Sequence, residues 1–180
     1  MNNEDLKKII AEFADFPATG VSFKDISPLL SNPDYFKFAI EQMCKVVESI
    51  NFNKILAIES RGFIFSSAIA YQLGKGLVMC RKPGKLPGKL ASQKYKSEYA
   101  SSELTVQNGV LKNTDKVLII DDVLATGYTV RAAYDLVRSF SQISGCLFLI
   151  ELNYLKGREK LLKTTELVNE QISSIINYEG

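Results

Sequence analysis

The chain has 180 residues, 46% of them apolar, with a net charge of +2 and no histidine. That length fits one domain with a sizeable core, and so small a charge gives no basis for nucleic-acid binding by bulk attraction. The missing histidines exclude Ser-His-Asp, Cys-His and histidine-ligated metal chemistry, so proton transfer falls to carboxylates, Lys, Tyr, Cys or water.

No apolar run is long enough for a bilayer, and the polar start Met1-Asn2-Asn3-Glu4-Asp5 is not a signal peptide. Cys44, Cys80 and Cys146 are odd in number and widely spaced. They make neither a disulfide framework nor a metal motif, and read as buried apolar residues of a reducing compartment.

In chain order, Asp5 to Phe13 carries Leu6, Ile9, Ile10 and Phe13 at helical spacing. Phe16 to Leu30 holds Pro17 and Pro28, reads as mostly irregular, and would form a small lobe over the strand ends. Asn32-Pro33 opens a helix to about Ile50, with Asn32 as N-cap and Pro33 at the first position. Lys54–Ile58 is a strand, about Phe63 to Leu73 a helix, and Gly76–Cys80 a strand. Residues 81–100 are polar and basic and read as a flexible loop; Leu104–Val106 is a strand and Gly109–Asp115 a turn. A strand over Val117–Ile120, a helix over Val130–Phe140, a strand over Gly145–Leu152, a short helix over Lys156–Leu162 and a last strand over Ser173–Ile176 complete the chain. Strands alternating with helices predict one α/β domain, 1–180, with a central mostly parallel sheet flanked by helices.

The most informative stretch is Val117 to Thr129. Its aliphatic run is that of a strand buried on both faces, followed by Asp121-Asp122 and then Ala125-Thr126-Gly127-Tyr128-Thr129 at the start of a helix. In an open α/β sheet, ligands bind beyond the carboxyl ends of the strands. Backbone N–H groups and two hydroxyls at a helix start suit a phosphate. The acids repel that phosphate but suit ribose hydroxyls and a metal ion. Acid pairs also end strands without any function, and the full pattern favours a ribose-phosphate cradle.

A second strand-to-helix turn, Glu59-Ser60-Arg61-Gly62, falls on the same sheet border and brings a guanidinium and a glycine to a helix start. Arg81 to Lys96 holds Arg81, Lys82, Lys85, Lys89, Lys94 and Lys96 without an acid. A charge run is usually a solvated face; at this border it would close over a polyanion and exclude water. Gly84-Lys85-Leu86-Pro87-Gly88-Lys89 is no P-loop, because its glycines are too close and Leu90 stands where Ser or Thr is needed. Glu98 is a carboxylate on that loop, which closure would desolvate. In the Phe16–Ile26 segment Phe23 offers a flat face for a base, while Phe16 and Ile26 read as packing residues.

Together these segments resemble the adenine branch of the type I phosphoribosyltransferases, from Phe16-Pro17 through Lys156-Gly157-Arg158-Glu159-Lys160. Glu59-Ser60-Arg61-Gly62-Phe63 and Arg81-Lys82-Pro83-Gly84-Lys85-Leu86-Pro87-Gly88 carry the branch. The resemblance implies the type I phosphoribosyltransferase-like fold, a hood over 16–30, a flexible catalytic loop over 81–100, and a strained or cis peptide in the Glu59–Arg61 loop. It implies conversion of adenine and 5-phosphoribosyl 1-diphosphate (PRPP) to AMP and pyrophosphate with Mg²⁺, in a cytoplasmic homodimer without nucleic-acid or membrane partners. The alternatives are a non-catalytic PRPP-binding regulator, or a relative using another purine.

By the same resemblance, Asp121 and Asp122 hold the ribose hydroxyls and the water shell of the metal. Ala125, Thr126, Gly127, Tyr128 and Thr129 bind the 5′-phosphate. Ser60 and Arg61 face the pyrophosphate, and Arg81, with Lys82 and Lys85, reaches it too, the partner subunit being one option. Glu98 handles the proton on the adenine imidazole ring. Phe23 and Leu124 sandwich adenine, and the backbone of Val21 and Lys24 reads its edge. Several positions depart from the pattern that the resemblance implies: Tyr128 and Ala100 stand for Gly, Lys24 for Arg, and Ser66-Ser67 for Gly-containing pairs.

Overall fold

Val117, Leu118, Ile119 and Ile120 are each wholly buried, in the middle strand of a five-stranded sheet. The computed structural model describes residues 1–96 and 101–179. An N-terminal helix α1 (Asn3–Ile9) is followed by β1 (Ala11–Phe13), β2 (Phe23–Asp25), α2 (Ser27–Ser31) and α3 (Pro33–Val46). The body continues through β3 (Lys54–Ile58), α4 (Gly62–Leu73), β4 (Gly76–Cys80), β5 (Leu90–Lys96) and β6 (Ser101–Gln107). It ends with β7 (Lys116–Leu124), α5 (Tyr128–Arg138), β8 (Gln142–Leu152), α6 (Gly157–Thr164) and β9 (Ile172–Tyr178). No helix among the described residues is long and apolar enough to cross a membrane.

The sheet order is β4-β3-β7-β8-β9 and every pair is parallel. Both faces are therefore covered, which is why the central strands are unbroken aliphatic runs. On one face Leu118 and Ile120 pack with α1 to α4 through Leu6, Leu29, Met43 and Phe65. On the other, Val117 and Ile119 pack with α5, α6 and β6 through Val130, Val137, Leu161 and Leu104. The chain leaves β3 toward β4 and later returns to β3's other side as β7. This reversal between β3 and β7 is the switch point at which ligands bind in doubly wound sheets.

Local signals account for most boundaries. The Asn32 side chain accepts from the N–H groups of Asp34 and Tyr35, an N-cap worth about 1 kcal/mol. Gly74, at φ 61°, closes α4 in the left-handed conformation. The α3 helix stops at Val46, short of Ile50. The strands Lys54–Ile58 and Gly76–Cys80 lie where the sequence puts them.

Two expectations are corrected. The helical stripe running to Phe13 ends at Ile9: Leu6 and Ile10 are buried, but Phe13 is 53% exposed and Ala11–Phe13 pairs antiparallel with Phe23–Asp25. Tertiary pairing within the hood overrides the periodicity there, and it makes a strand and the helix α2 inside a segment read as irregular. Likewise residues 81–100 are not loop throughout, because Leu90–Lys96 is a strand in register with Ser101–Gln107. Leu104 and Val106 anchor that hairpin in the core.

Candidate active site

Three neighbouring parallel strands, β3, β7 and β8, end on one border. After β3 the Glu59–Ser60 peptide is cis, as the resemblance implies. The next residues start α4, where a Cβ on Gly62 would lie 2.8 Å from Asp121 Oδ1 and 3.1 Å from Asp121 Cα. Only glycine lets this helix start abut the end of β7.

The two acids lie within β7 rather than after it. Strict alternation would carry Leu118 and Ile120 on to Asp122 and Leu124. The alternation slips by one residue instead, so Val123 packs on the Leu118 face and Leu124 is wholly buried on the Val117 face. Both carboxylates and Val123 consequently line one cavity of about 400 Å³, and Leu124 does not.

Burial first, and then the adjacent charge of Asp122, holds the Asp121 carboxyl well above the usual carboxylate range. Burial also raises Asp122, against the opposing charge of Arg61. The Arg61 Nε lies 2.7 Å from Asp122 Oδ2, yet its N–H does not point at that oxygen, which is buried without a directed hydrogen bond. Arg61 Nη1 is buried without an acceptor too. The guanidinium is stacked over Phe23, 4.9 Å from the ring centroid.

Below the acids, Gly127 at φ 80° turns the chain into α5 with no side-chain cap. A helix start leaves its first N–H groups without intrahelical partners, so Tyr128 and Thr129 present an uncapped positive end beside Ala125 and Thr126. The loop is backed by α6. A Cβ on Gly157 would lie 2.1 Å from the Ala125 carbonyl oxygen, and one on Gly127 2.9 Å from the Gly157 oxygen.

The hood forms the cavity's other wall with Val21, Phe23 and Lys24. The Val21 N–H donates to Ala18 and its carbonyl accepts from Phe16, so only that carbonyl's second lone pair is open to a base. Lys24 is 7% exposed; its ammonium meets Glu12 at 2.7 Å and lies 4.3 Å from the Tyr178 ring centroid. The hydrogen bonds from Lys24 and Ser22 hold the Glu12 carboxyl below its usual range. Ile26 is core, as read, but Phe16 is 54% exposed and leans edge-on against Phe23 at 5.1 Å.

Val21, Phe23, Lys24, Arg61, Asp121, Asp122, Ala125 and Thr126 thus share a cavity. Arg81, Lys82 and Lys85 do not line it: Arg81 Nε donates to Glu59 at 2.8 Å, and Arg81 Nη1 to the Lys85 carbonyl. Glu98 lies outside the described residues. The sequence reading missed Val123, Tyr154 and Leu155, which also line the cavity. Tyr154 and Leu155 were reachable, since they follow the carboxyl end of a parallel strand on the same border. A larger depression, about 660 Å³, surrounds Arg158 and Glu151, but it has no aromatic face for a base. The cysteines are free and buried, and burial pushes the Cys80 thiol up to about 12, so it serves as a packing group.

A parallel sheet with an acid pair and a glycine-turned helix start at its switch point, under a hood, is the framework of a type I phosphoribosyltransferase. Residues 26–153 match the phosphoribosyl transferase domain family. The adenine phosphoribosyltransferase of Thermosipho melanesiensis is 49% identical over 175 residues, 97% of each chain. The crystal structure of that enzyme from Thermoanaerobacter pseudethanolicus superposes with a TM-score of 0.92 at 39% identity, covering 98% of this chain and 100% of that one. The Giardia lamblia enzyme complexed with 9-deazaadenine gives 0.92 at 34% identity, over 100% and 99%. The chain belongs to the adenine phosphoribosyltransferase family.

Proposed function

We propose that the protein transfers the phosphoribosyl group of PRPP to N9 of adenine, giving AMP and pyrophosphate. One observation carries this reading: a single cavity joins the Phe23 face and the hood backbone to the Asp121–Asp122 pair, Arg61 and the Ala125–Thr126 turn. An aromatic wall suits a base, paired acids suit ribose hydroxyls, and an open helix start suits a phosphate. The base analogue held by the Giardia relative supports a base site of this kind.

The 5′-phosphate would sit on the N–H groups and hydroxyls of Ala125 to Thr129, which fixes C1 of the ribose above the acids. Asp121 and Asp122 would accept from the ribose hydroxyls. Phe23 and Val123 would close on the base, with the Lys24 backbone and the Val21 carbonyl at its edge. As the bond to the diphosphate lengthens, positive charge grows on the ribosyl centre and negative charge on the leaving group. Ser60 and Arg61 would meet the latter, and Arg61's unpaired Nη1 is a donor in waiting. Glu98 would take the proton that adenine loses as N9 bonds.

The acids suit a hard cation: they are adjacent, and Asp122 is buried with an oxygen that has no directed hydrogen bond. Among the described residues no three His, Cys, Asp or Glu side chains converge, so Mg²⁺ would take most ligands from substrate and water. Bound there, it would supply neutralisation of the departing diphosphate. A homodimer is part of the proposal. The sheet edge at β4 exposes Leu77 and Met79, and the adjoining α4 exposes Ile64 and Tyr71, an apolar face suited to a second copy that could deliver Arg81, Lys82 and Lys85. Work in the cytoplasm accords with three unpaired, buried thiols.

The test is incubation with PRPP, Mg²⁺ and one purine at a time, following nucleotide formation. Adenine should yield AMP with stoichiometric pyrophosphate, far faster than hypoxanthine or guanine yields its nucleotide. PRPP binding without turnover on any purine would favour a regulator, and preference for another purine would displace adenine.

A further inference from the structure

The loop read above as the 5′-phosphate site has almost no side-chain support of its own, since its helix is uncapped and its turn residue is glycine. Its support comes from α6. The first residue of that helix, Gly157, is packed so tightly on the loop that a Cβ would collide with the Ala125 carbonyl oxygen at 2.1 Å and meet Leu124 Cδ1 at 3.0 Å. Gly127 meets the Gly157 carbonyl from the other side. One turn further, Lys160 Nζ lies 3.3 Å from the Tyr128 ring centroid. Any shift of α6 is therefore a shift of the loop.

Leu161 packs α6 into the core, and the helix's second residue ties its start to the sheet. Arg158 makes a two-pronged pair with Glu151, Nε to Oε1 at 2.8 Å and Nη2 to Oε2 at 2.6 Å. Its remaining terminal nitrogen donates to Asn169 Oδ1 at 3.1 Å and to the Ile172 carbonyl at 2.7 Å. Glu151 is 3% exposed and takes a third bond from Ser174 Oγ at 2.7 Å. A guanidinium held at both prongs has no freedom to rotate, and its carboxylate stands on the sheet itself, near the end of β8. Sheet, ion pair, helix and loop form one mechanical chain.

We propose that Arg158 and Glu151 are positioning residues for the 5′-phosphate: neither touches substrate, and together they set the loop's distance from the acids. The pair is not chiefly a source of stability, because a buried ion pair gains little over apolar residues of like volume. This rests on the reading of the loop as the phosphate site.

The experiment uses the full chain and measures affinities for ribose 5-phosphate and for pyrophosphate with Mg²⁺, by calorimetry. In Arg158→Met, ribose 5-phosphate affinity should fall about 10- to 100-fold, the scale of a misplaced binding group, with pyrophosphate affinity unchanged. That variant leaves Glu151 unpaired and could unfold, so the deciding protein is the double variant Glu151→Met/Arg158→Met, which buries no lone charge. It should fold with near wild-type thermal stability and still bind ribose 5-phosphate as weakly as the single variant. KM for PRPP should rise in both, and KM for adenine should not. A folded double variant with wild-type ribose 5-phosphate affinity overturns the proposal, as does equal loss of affinity for both ligands. Failure of the wild-type protein to bind ribose 5-phosphate would instead strike the assignment of the loop itself.

Discussion

Arg61 lies 4.9 Å over the Phe23 ring while its Nε rests 2.7 Å from Asp122. One side chain thus stands against the wall proposed for the base and the acid proposed for the ribose, and the pyrophosphate proposed for it would lie between them. Its buried, unpaired Nη1 marks this as a position held by charge and stacking, without a full set of acceptors.

Arg61→Ala should therefore weaken pyrophosphate and PRPP on the order of 10- to 100-fold, the worth of one or two charge-assisted hydrogen bonds. Adenine binding to the ligand-free protein should not weaken, since the substitution bares the Phe23 face. Calorimetry with each ligand checks both halves. Undiminished pyrophosphate binding would remove Arg61 from the site.

Glu98→Ala should lower kcat by ~10²–10⁴, the usual worth of general acid–base help, and leave PRPP affinity intact. Steady-state kinetics and PRPP titration distinguish this from a general loss of substrate binding, which would raise the PRPP KM as well. A kcat near wild type would free Glu98 from any proton-transfer role.

The sheet border that holds the candidate site was legible in the sequence because strand ends and helix starts are local facts: a four-residue aliphatic run, two acids, then small and hydroxyl residues. The strands Lys54–Ile58 and Gly76–Cys80 were legible for the same reason. What escaped depended on partners far along the chain. Ala11–Phe13 carries the helical period of Leu6 and Ile10 and becomes a strand only because Phe23–Asp25 pairs with it. The Lys-rich Leu90–Lys96 looks like loop until Ser101–Gln107 lies beside it. Val123 and Leu124 face the sides opposite to those that strict period-two alternation gives, a local slip that no period-two count contains. The α6 support for the loop is a contact between residues about thirty apart, visible only as a pair of glycines.

Ser66 is wholly buried in α4 and its hydroxyl has no partner among the described residues. Ser66→Ala removes an unpaid desolvation and improves helix propensity. The variant should gain about 1 kcal/mol in denaturant unfolding with unchanged kinetics. Loss of stability would mean that the hydroxyl is bonded in solution.

Asp121→Asn separates stability from function. The Asp121 carboxylate lies against Gly62; desolvation, and then a second carboxylate beside it, hold it well above the usual range, so its charge is costly in the ligand-free protein. In Mg²⁺-free buffer near neutral pH the variant should have a higher Tm than the wild type, and PRPP binding should be lost or severely reduced. A lower Tm together with retained PRPP affinity would contradict both the electrostatics and the ribose assignment.

Asp115 supplies the opposite sign, far from the cavity. The Lys54 ammonium at 2.9 Å, together with the Lys112 N–H and the Asn53 amide, holds its carboxyl below the usual value of 3.8 despite burial. A carboxyl depressed in the folded state stabilises it fully above the unfolded value, and that contribution disappears as pH falls through the lower, folded value. Asp115→Asn should accordingly cost about 1.5–3 kcal/mol at pH 7, the worth of hydrogen bonds to a charged group. The gap between wild type and variant should hold down to about pH 4, near the ordinary Asp value, and close below it, as the wild-type side chain itself becomes neutral. Urea unfolding at stepped pH measures this directly. A gap that persists unchanged below pH 3 would show that shape, not charge, holds the Lys112–Asp115 turn against the start of β3.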